Sequence, residues 1–430
     1  EVILSCDSAH LYDSDNEVRA FGNIHVNQGD TIHLYGDFLK YRGDTRLAQV
    51  RENVILIDRE TTLKTEFLDF NLENNIGYYF NGGEIIDGES TLKSGRGYYY
   101  SDEEIFYYKD SVEVIHPDYT IYCDTLRYDT RYSTAHFLSP TIIRGEDLYI
   151  YCENGWYNMD LEISQFNRNA FISTQEQIVR GDSLFYDRGT GFGKALGNTE
   201  LTDTTENIVL RGQYAEYHDE PERSLVTDSA LFIQYTDTDT LYLHADTLRS
   251  VTDTLGFRLM RAYYNVRIFR TDFQAVCDSL AYSFADSVIH MFREPVIWSD
   301  ENQLTAGQVD IFTRNRRIER MEMYRSAFII SMQDSLRYNQ IKGKDMTAIF
   351  REGELHLIKV NGNGQSVYYA EDENGIIGVN KAECSNIEIL VENRKIRRIR
   401  FLVSPDGTFD PPFLVSPAEM KLEGFRWAGD

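Results

Sequence analysis

Apolar and polar residues follow a unit of about 29 residues that recurs along most of the chain. The unit is clearest over residues 121–128, where the sequence reads IYCDTLRY. It holds an apolar residue, a spacer, a small residue, a polar anchor that is usually acidic, and then Leu and Tyr at alternate positions. Alternation with a period of two is typical of β-strands that bury one face. The pattern therefore predicts a chain built from strands.

The anchor residue recurs from one end of the chain to the other. Successive anchors are 28 to 33 residues apart, and the residue before each anchor is Gly, Ala, Thr or Cys. A period of this size predicts a stack of repeats in which no single unit buries its apolar face alone. The anchors are Asp7, Asp37, Glu66, Arg96, Asp124, Glu153, Asp182, Gln213, Asp246, Asp278 and Gln308.

A second signature lies about halfway between anchors and divides each repeat into two arms of similar length. Polar turns such as 42–44 and 58–60 join the arms, which is typical of antiparallel meanders. Each arm is thus predicted to be one strand or one bent strand. The second signature begins with Gly22-Asn23, Glu52-Asn53, Asp110-Ser111, Gly197-Asn198 and Glu294-Pro295.

The alternation breaks at every anchor. Ile121 and Cys123 lie three and one residues before the anchor Asp124, whereas Leu126 and Tyr128 lie two and four residues after it. A strict period of two cannot place both sets on one face. We therefore expect a bulge or corner at the small residue and the anchor, whose carboxylate accepts hydrogen bonds from freed backbone amides. Corners in register would make two sheets that meet along a crease, with both apolar sets inside.

Composition supports an all-β fold and limits the partners. The 430 residues include 29 Tyr, 24 Phe and only 8 Pro, and the chain lacks the pattern of a long amphipathic helix. The formal net charge of −26 argues against nucleic-acid binding, because phosphates would be repelled. Apolar runs are too short for a membrane-spanning helix. The chain begins inside a repeat, so we expect that a targeting segment is missing from this sequence.

The five cysteines do not predict a disulfide framework, because their number is odd. Four of them occupy the small position before the anchor, where Cys serves as a compact apolar residue. Cys123 and Cys152 lie in neighbouring repeats. They could form a bridge only if equivalent positions lie one strand spacing apart, about 4.8 Å.

Regularity divides the chain into three parts. Residues 1–290 carry regular repeats, residues 291–403 carry less regular ones, and residues 404–430 are predicted to be an irregular tail. Two dense basic clusters, 314–320 and 394–400, stand out in the acidic chain. Each is either a charged turn or a site for an anionic head group, contacted by Arg316, Arg317, Arg397 and Arg398.

Motifs of catalysis and metal binding are missing from the sequence. It contains none of the patterns HExxH, paired CxxC, GxSxG or GxxxxGK[ST]. The anchors recur, and a catalytic pair of carboxylates should instead break the pattern once. We therefore predict no catalytic residue, no cofactor and no metal, and regard the chain as a non-enzyme. A glycosidase-type pair of carboxylates stays open as an alternative.

The repeat resembles that of the OstA/LptA family of lipopolysaccharide-transport proteins, which includes the N-terminal periplasmic part of LptD. The matches are clearest at 36–41, 123–129 and 181–187, and the segment 362–369 looks like a later family feature. The resemblance implies an elongated β-jellyroll, or β-taco, of about a dozen stacked repeats with a V-shaped groove between two sheets. It also implies a periplasmic protein, either free or associated with the outer membrane.

The same resemblance implies a lipid-binding function. Lipopolysaccharide or a related lipid would place its acyl chains in the groove, and other transport components or further copies would join at the strand edges. Two alternatives remain: a β-solenoid enzyme that acts on polysaccharide, and a structural or adhesive envelope protein with a closed core. The predicted groove-lining residues are Leu39, Tyr41, Leu68, Phe70, Tyr98, Tyr100, Leu126, Tyr128, Leu184, Tyr186, Leu280 and Tyr282.

Overall fold

A computed structural model of the chain describes residues 2–28, 32–235, 239–271, 273–299, 301–314, 317–352, 354–373, 375–392, 395–411 and 413–429. The chain forms two compact units, Glu1–Thr205 and Glu206–Asp430. Among the described residues, the only helix is a single 3₁₀ turn at Asp13–Asp15. The predicted all-β fold class is therefore confirmed.

The strands of the first unit pair with their neighbours in antiparallel fashion. Within its described residues they are β1 (Val2–Ser5), β2 (Ser8–Tyr12), β3 (Glu17–Gln28), β4 (Ile32–Arg42), β5 (Leu47–Asp58), β6 (Thr61–Asn71), β7 (Ile76–Tyr79), β8 (Gly83–Asp87), β9 (Ser90–Ser94), β10 (Arg96–Tyr100), β11 (Ile105–Ile115), β12 (Tyr119–Asp129), β13 (Thr134–Phe137), β14 (Thr141–Gly145), β15 (Tyr149–Cys152), β16 (Asn154–Asn158), β17 (Ile163–Ser173), β18 (Gln177–Asp187) and β19 (Phe192–Asp203).

The second unit has the same antiparallel pairing. Its strands, again within the described part, are β20 (Ile208–His218), β21 (Arg223–Tyr235), β22 (Thr240–Thr252), β23 (Arg258–Arg270), β24 (Phe273–Ser283), β25 (Val288–Phe292), β26 (Val296–Ser299), β27 (Asn302–Thr305), β28 (Gln308–Arg314), β29 (Arg317–Tyr324), β30 (Ala327–Met332), β31 (Tyr338–Gly343), β32 (Asp345–Arg351), β33 (Glu354–Asp372), β34 (Gly375–Glu392), β35 (Lys395–Leu402) and β36 (Asp406–Asp410). β36 lies in the stretch for which the sequence predicted an irregular tail.

The strands bend at corners where the pairing register shifts. Between β11 and β12, Lys109 pairs with Thr125 and Val112 pairs with Cys123, so two residues of β11 oppose the single anchor Asp124. These two residues, Asp110 and Ser111, both have positive φ. Consecutive left-handed residues turn the strand sharply while its neighbours stay paired. The corner was predicted at the anchor, but the extra residue lies on the facing strand.

Twelve such pairs of consecutive positive-φ residues lie within the described residues. Five of these pairs coincide or overlap with the start of the second sequence signature, which lies halfway between anchors. Examples are Glu52-Asn53 and Gly197-Asn198. The two predicted signatures of each repeat therefore meet at one corner. The pairs are 22–23, 52–53, 81–82, 110–111, 168–169, 197–198, 228–229, 264–265, 293–294, 325–326, 362–363 and 403–404.

The anchor carboxylate and the Asn of the facing corner form a recurrent hydrogen bond. Five corners have it, and in each the Asn side-chain amide donates to the anchor. The donor–acceptor distances are 2.9 Å for Asn23 to Asp7, 2.6 Å for Asn53 to Asp37, 2.7 Å for Asn169 to Glu153, 3.1 Å for Asn198 to Asp182 and 2.9 Å for Asn265 to Asp246. The predicted backbone donor is present as well at Asn53, whose N–H donates to Glu66 over 3.3 Å.

The small residue before each anchor has a steric cause. A Cβ atom on Gly36 would lie 2.6 Å from Cγ1 of Val50, inside any normal contact distance. The Val50 side chain thus fills the space beside Gly36, and a larger side chain there would have to displace it. At this crowded position the sequence repeats the small residues Gly, Ala, Thr and Cys.

The C-terminal segment of the second unit packs on the outer surface of its own sheet. Met420, Leu422 and Trp427 contact an apolar patch that includes Phe328 and Val367. Two buried glutamines fix the backbone of this segment. Gln340 donates to the Met420 carbonyl over 3.0 Å and accepts from the Leu422 N–H over 2.9 Å. Gln303 accepts from the Ala428 N–H over 2.7 Å and donates to the Arg426 carbonyl over 2.6 Å.

Candidate functional site

Besides the buried row at the corners themselves, the inner face of the first unit contains three rows of side chains that run across the strands. The floor is the row that follows the corners, and most of its members are buried. Its composition is apolar throughout, with small residues between large ones. The floor comprises Ala9, Ala20, Leu39, Val50, Leu68, Tyr79, Gly97, Tyr108, Leu126, Phe137, Gly155, Phe166, Leu184 and Ala195.

On one side of the corners, the next inward row contains only Leu, Ile and Val. We call this row the aliphatic wall. Leu63, Ile85 and Ile121 are buried, whereas Val26, Leu56 and others are half-buried. The wall comprises Leu4, Val26, Leu34, Leu56, Leu63, Ile85, Leu92, Val114, Ile121, Ile143, Ile150, Ile172, Val179 and Leu201.

On the other side of the corners, the corresponding row is dominated by rings that mostly alternate with small residues. We call this row the aromatic wall. The small partners leave room for the rings; Phe70, for example, covers Gly77 on the next strand. The wall comprises Leu11, Val18, Tyr41, Ala48, Phe70, Gly77, Tyr99, Phe106, Tyr128, Ala135, Tyr157, Ser164, Tyr186 and Gly193.

The two walls face each other, as the electrostatics of the tyrosines show. Burial raises the pKa of Tyr128, and the carboxylate of Asp87, at the end of an aliphatic-wall strand, raises it further. Burial likewise raises the pKa of Tyr99, with a contribution from Asp58 on the opposite side. A carboxylate raises a phenol pKa only when it is close enough to repel the phenolate. The inner faces on the two sides of the corners therefore line a common space.

The rings of the aromatic wall contact one another and the floor. The ring centroids of Tyr99 and Phe106 are 4.2 Å apart and nearly parallel, and those of Phe106 and Tyr108 are 5.8 Å apart. Tyr186 keeps 37% of its surface exposed. The wall is thus apolar but only partly covered by the protein itself, which is how a surface that accepts an apolar ligand is built.

Most of the residues predicted to line a groove in the first unit do lie on its inner face. Leu39, Leu68, Leu126 and Leu184 belong to the floor and are buried. Tyr41, Phe70, Tyr128 and Tyr186 belong to the aromatic wall. In the second unit, Leu280 and Tyr282 hold the equivalent rows. Their contact with a lipid stays a prediction.

Tyr98 and Tyr100 were wrongly assigned to the inner face. Gly97 pairs with Tyr79 of the floor, so its neighbour Tyr98 points to the opposite face. There the Tyr98 ring stacks on Tyr78 with centroids 5.9 Å apart. The error arose because the corner residue of this repeat is Gly95, whose N–H donates to the Asp110 carbonyl, and not Arg96. Arg96 pairs with the Asp110 carboxylate across the corner.

Sequence reasoning left the aliphatic wall out of the site, although a signal for it exists. Eight of the eleven anchors have Leu, Ile or Val three residues before them, as at Leu34, Leu63 and Ile150. These residues were predicted to point inward, yet only the residues after the anchor were named as lining the predicted groove. Phe106 was also missed, because its strand carries no anchor, and Tyr99 was missed because the anchor of its repeat was misplaced. Tyr157 lies four residues after the anchor Glu153, where the pattern predicts an inward side chain, but it was not named.

The cysteines do not bridge. Thr141 pairs with Cys152, and its strand β14 lies between β12, which carries Cys123, and β15. Equivalent positions are thus two strand spacings apart, about 9.6 Å, which no disulfide can span. Burial raises the pKa of both thiols to about 12. Both act as compact apolar residues at corners.

The arginines predicted to bind a head group lie in the second unit, and the structure does not bring them together. Arg317 is on β29 and Arg397 and Arg398 are on β35, with β32, β33 and β34 between them, a distance of about 19 Å. Arg397 lies 3.8 Å from the Glu392 carboxylate. Arg316 lies outside the described residues. A head-group role for these arginines stays a prediction.

The corresponding inner rows of the second unit close on each other towards its C-terminus. One continuous apolar cluster joins residues from both sides of the corners, among them Ile297, Ile329, Met323, Ile358 and Ile389. Several of these side chains are fully buried. The space that an apolar ligand would need is filled here by the protein's own side chains.

Groups of three or more His, Cys, Asp or Glu side chains placed to hold a metal do not occur in the described part of the chain. The same residues contain no helix long and apolar enough to cross a membrane.

Comparison with known proteins gives a family for the N-terminal part. Residues 1–124 match the model of the OstA-like protein family. A solved structure, LptH of Pseudomonas aeruginosa, described as the LptA-homologous periplasmic component of a conserved lipopolysaccharide transport device, is 15% identical; the match covers 30% of this chain and 76% of that one. Its TM-score of 0.16 is too low to carry any argument. Curated proteins give no match. Residues 1–124 are therefore similar to the OstA-like family, in agreement with the resemblance of the repeats.

Proposed function

We propose that the first unit binds the acyl chains of lipopolysaccharide or a related lipid between its aliphatic and aromatic walls. The protein would carry or bridge this lipid through the periplasm towards the outer membrane, without catalysis. One observation supports this most: an aliphatic row and a row of rings and small residues face each other in the first unit and remain partly uncovered. The OstA-like match over residues 1–124 agrees with it.

Acyl-chain burial supplies enough free energy for such binding. Each methylene removed from water contributes about 0.8 kcal/mol, so that ten buried methylenes correspond to about 8 kcal/mol, or a dissociation constant near 1 μM. The aliphatic wall offers Leu, Ile or Val at all 14 of its strand positions, and the aromatic wall offers Leu, Val, Phe or Tyr at nine of its 14. The head group need contribute little to the affinity.

A second function, that of a closed structural body, is favoured for the later part of the second unit. The continuous cluster around Ile297 and Ile389 leaves no room for an acyl chain. We therefore assign lipid binding to the first unit and support or partner contact to the closed part. Other transport components or a further copy of the chain would pair with exposed strand edges.

Photo-crosslinking with matched neighbours tests the proposal. Val179 lies on the aliphatic wall and Arg180 points to the outer face of the same strand. Tyr128 lies on the aromatic wall and Arg127 points outward. A crosslinker at Val179 or Tyr128, in cells of a Gram-negative host, should capture lipopolysaccharide or another acylated lipid. The same group at Arg180 or Arg127 should not.

Equal capture at all four positions would contradict a groove between the walls, and absence of capture at Val179 and Tyr128 would contradict lipid binding altogether. The outward neighbours control for expression, folding and nonspecific contact with membranes, because each lies one residue from its test position.

A further inference from the structure

The walls of the first unit have a charge pattern that bears on the head group of the bound lipid. Lys and Arg residues within its strands alternate with the wall residues and so point to the outer face, as Lys64, Arg127 and Arg180 do. Arg168 is the one basic residue within these strands that does not follow this alternation, because it belongs to a corner. The inward rows of the described residues therefore contain no positive charge.

Carboxylates, in contrast, do face inward. Asp58 and Asp87 continue the inward row of the aliphatic wall at the ends of β5 and β8, and both pair with Thr61 between them. The Thr61 hydroxyl donates to Asp87 over 3.2 Å. Both carboxylates lie close enough to the opposite wall to raise the pKa values of Tyr99 and Tyr128, as described above. They thus lie at the rim of the space between the walls.

The turns at the outer ends of the strands add to this negative field. In the described turns of the first unit, fifteen Asp or Glu residues stand against four Lys or Arg residues. Two of these basic residues are already paired, Arg188 with Glu162 at 3.2 Å and Arg131 with Glu104 at 3.6 Å. A head group that emerges from between the walls therefore meets an excess of negative charge on both sides.

From this distribution we infer that the lipid bound by the first unit has a head group without net negative charge, either zwitterionic or amine-bearing. This inference rests on the proposed function and narrows its ligand: it favours a related acylated lipid over a phosphate-rich lipopolysaccharide. The acyl chains would supply the affinity, and the rim would discriminate between head groups, because like charges at the rim repel a phosphate-rich group whereas an ammonium is attracted. The selection acts at the rim and leaves the walls unchanged.

Competition between two lipids of identical acyl chain tests the inference on the full chain. The uncharged probe N-phenyl-1-naphthylamine is bound first and then displaced by monomeric lysophosphatidylcholine or lysophosphatidylglycerol. At low ionic strength the zwitterionic lipid should displace the probe at a concentration about tenfold lower than the anionic one. At about 0.5 M salt the difference should shrink to about twofold, since the field is screened.

Two double variants separate the rim from the general acidity of the chain. Asp58→Asn with Asp87→Asn should strengthen binding of the anionic lipid about threefold to tenfold and leave the zwitterionic lipid unchanged. Glu84→Gln with Glu113→Gln removes the same charge from the outer face of neighbouring strands and should change neither. Equal or tighter binding of the anionic lipid by the unmodified protein would overturn the inference alone.

Equal effects of the two double variants would also overturn it, because the discrimination would then follow net charge and not the rim. If neither lipid displaces the probe, or the probe does not bind, the proposed function itself fails. Circular dichroism of each variant establishes that the strands are retained.

Discussion

Asn53 tests how the corners are built. It is the second of two consecutive left-handed residues, with φ values of 62° at Glu52 and 50° at Asn53. Its side-chain amide donates to the Asp37 carboxylate over 2.6 Å. Replacing Asn53 by Gly removes this hydrogen bond and keeps the backbone conformation accessible, whereas Ala removes the bond and makes the conformation unfavourable.

The expected magnitudes follow from these two contributions. The hydrogen bond is exposed, so its loss should cost about 0.5 kcal/mol of local stability. A left-handed conformation costs an L-residue such as Ala about 1 kcal/mol or more, and Gly almost nothing. We therefore expect about 0.5 kcal/mol for Asn53→Gly and about 1.5 kcal/mol for Asn53→Ala. The difference between the stability losses of the Ala and Gly variants gives the cost of the left-handed backbone conformation.

Hydrogen exchange followed by mass spectrometry is the suitable assay, because a long repeat chain need not unfold in one step. Peptides that cover 47–58 and 61–71 should exchange about tenfold faster in Asn53→Ala and about twofold faster in Asn53→Gly. Peptides around the corner at 197–198 serve as an internal control and should not change. Equal effects of Gly and Ala would refute the view that the left-handed pair makes the corner.

Three further predictions concern other parts of the chain. Gln340→Ala removes the two hydrogen bonds that Gln340 makes to the C-terminal segment, and limited proteolysis within 413–429 should become at least tenfold faster. The Cys123 thiol, with a pKa raised to about 12, should react with iodoacetamide at pH 8 far more slowly than half-exposed Cys6, since about 1 thiol in 10,000 is ionised. Burial raises the pKa of Tyr79 from 10.0 to about 12. The free energy of unfolding in urea should therefore be unaffected below pH 10 and fall as the pH rises towards 12, because the unfolded state ionises first. In Tyr79→Phe this fall should be less steep.

Each of these three has a control. Gln333→Ala alters a half-buried glutamine whose hydrogen bonds go to Glu371 and Asn339 and not to the C-terminal segment, and it should leave proteolysis unchanged. Alkylation of Cys123 in urea should match that of Cys6, so a slow reaction in the native protein reports burial. Tyr132→Phe, at an exposed tyrosine, should keep the full pH dependence of the unmodified protein. Rapid native alkylation of Cys123 would contradict the packing at its corner.

The bent repeat was predictable because two patterns of different origin coincide. A small residue before each anchor reflects the close approach at the corner, as between Gly36 and Val50. The Gly-Asn and Glu-Asn pairs reflect the left-handed conformation, which Gly and Asn adopt most readily. Each pattern is visible by itself in the sequence. Their contact is not, because nothing in a one-dimensional pattern states which strand carries the extra residue.

The misplaced tyrosines have a similar cause. In the repeat of Arg96, the position equivalent to Asp124 is held by Gly95, and the charge moves one residue along the chain. Alignment on the polar residue therefore shifted the repeat by one, which turns every side chain of a strand to the other face. In other repeats the anchor itself provides the carboxylate of the corner. Here Asp110 provides it from the facing strand, and Arg96 pairs with it.

The openness of the walls was beyond sequence reasoning for a related reason. Both units have corners of the same kind and apolar rows at equivalent positions. The side chains that make up these rows differ in shape. In the first unit the aromatic wall alternates rings with Gly, Ala and Ser, so the rings pack along the row. In the second unit the equivalent row becomes Ile311, Met321, Ala348, Ile358 and Ile389, all of which are buried in the continuous apolar cluster. Whether a trough holds lipid thus depends on how side chains pack with their own row or with the opposite one, and a rigid stacked row of rings favours the open state.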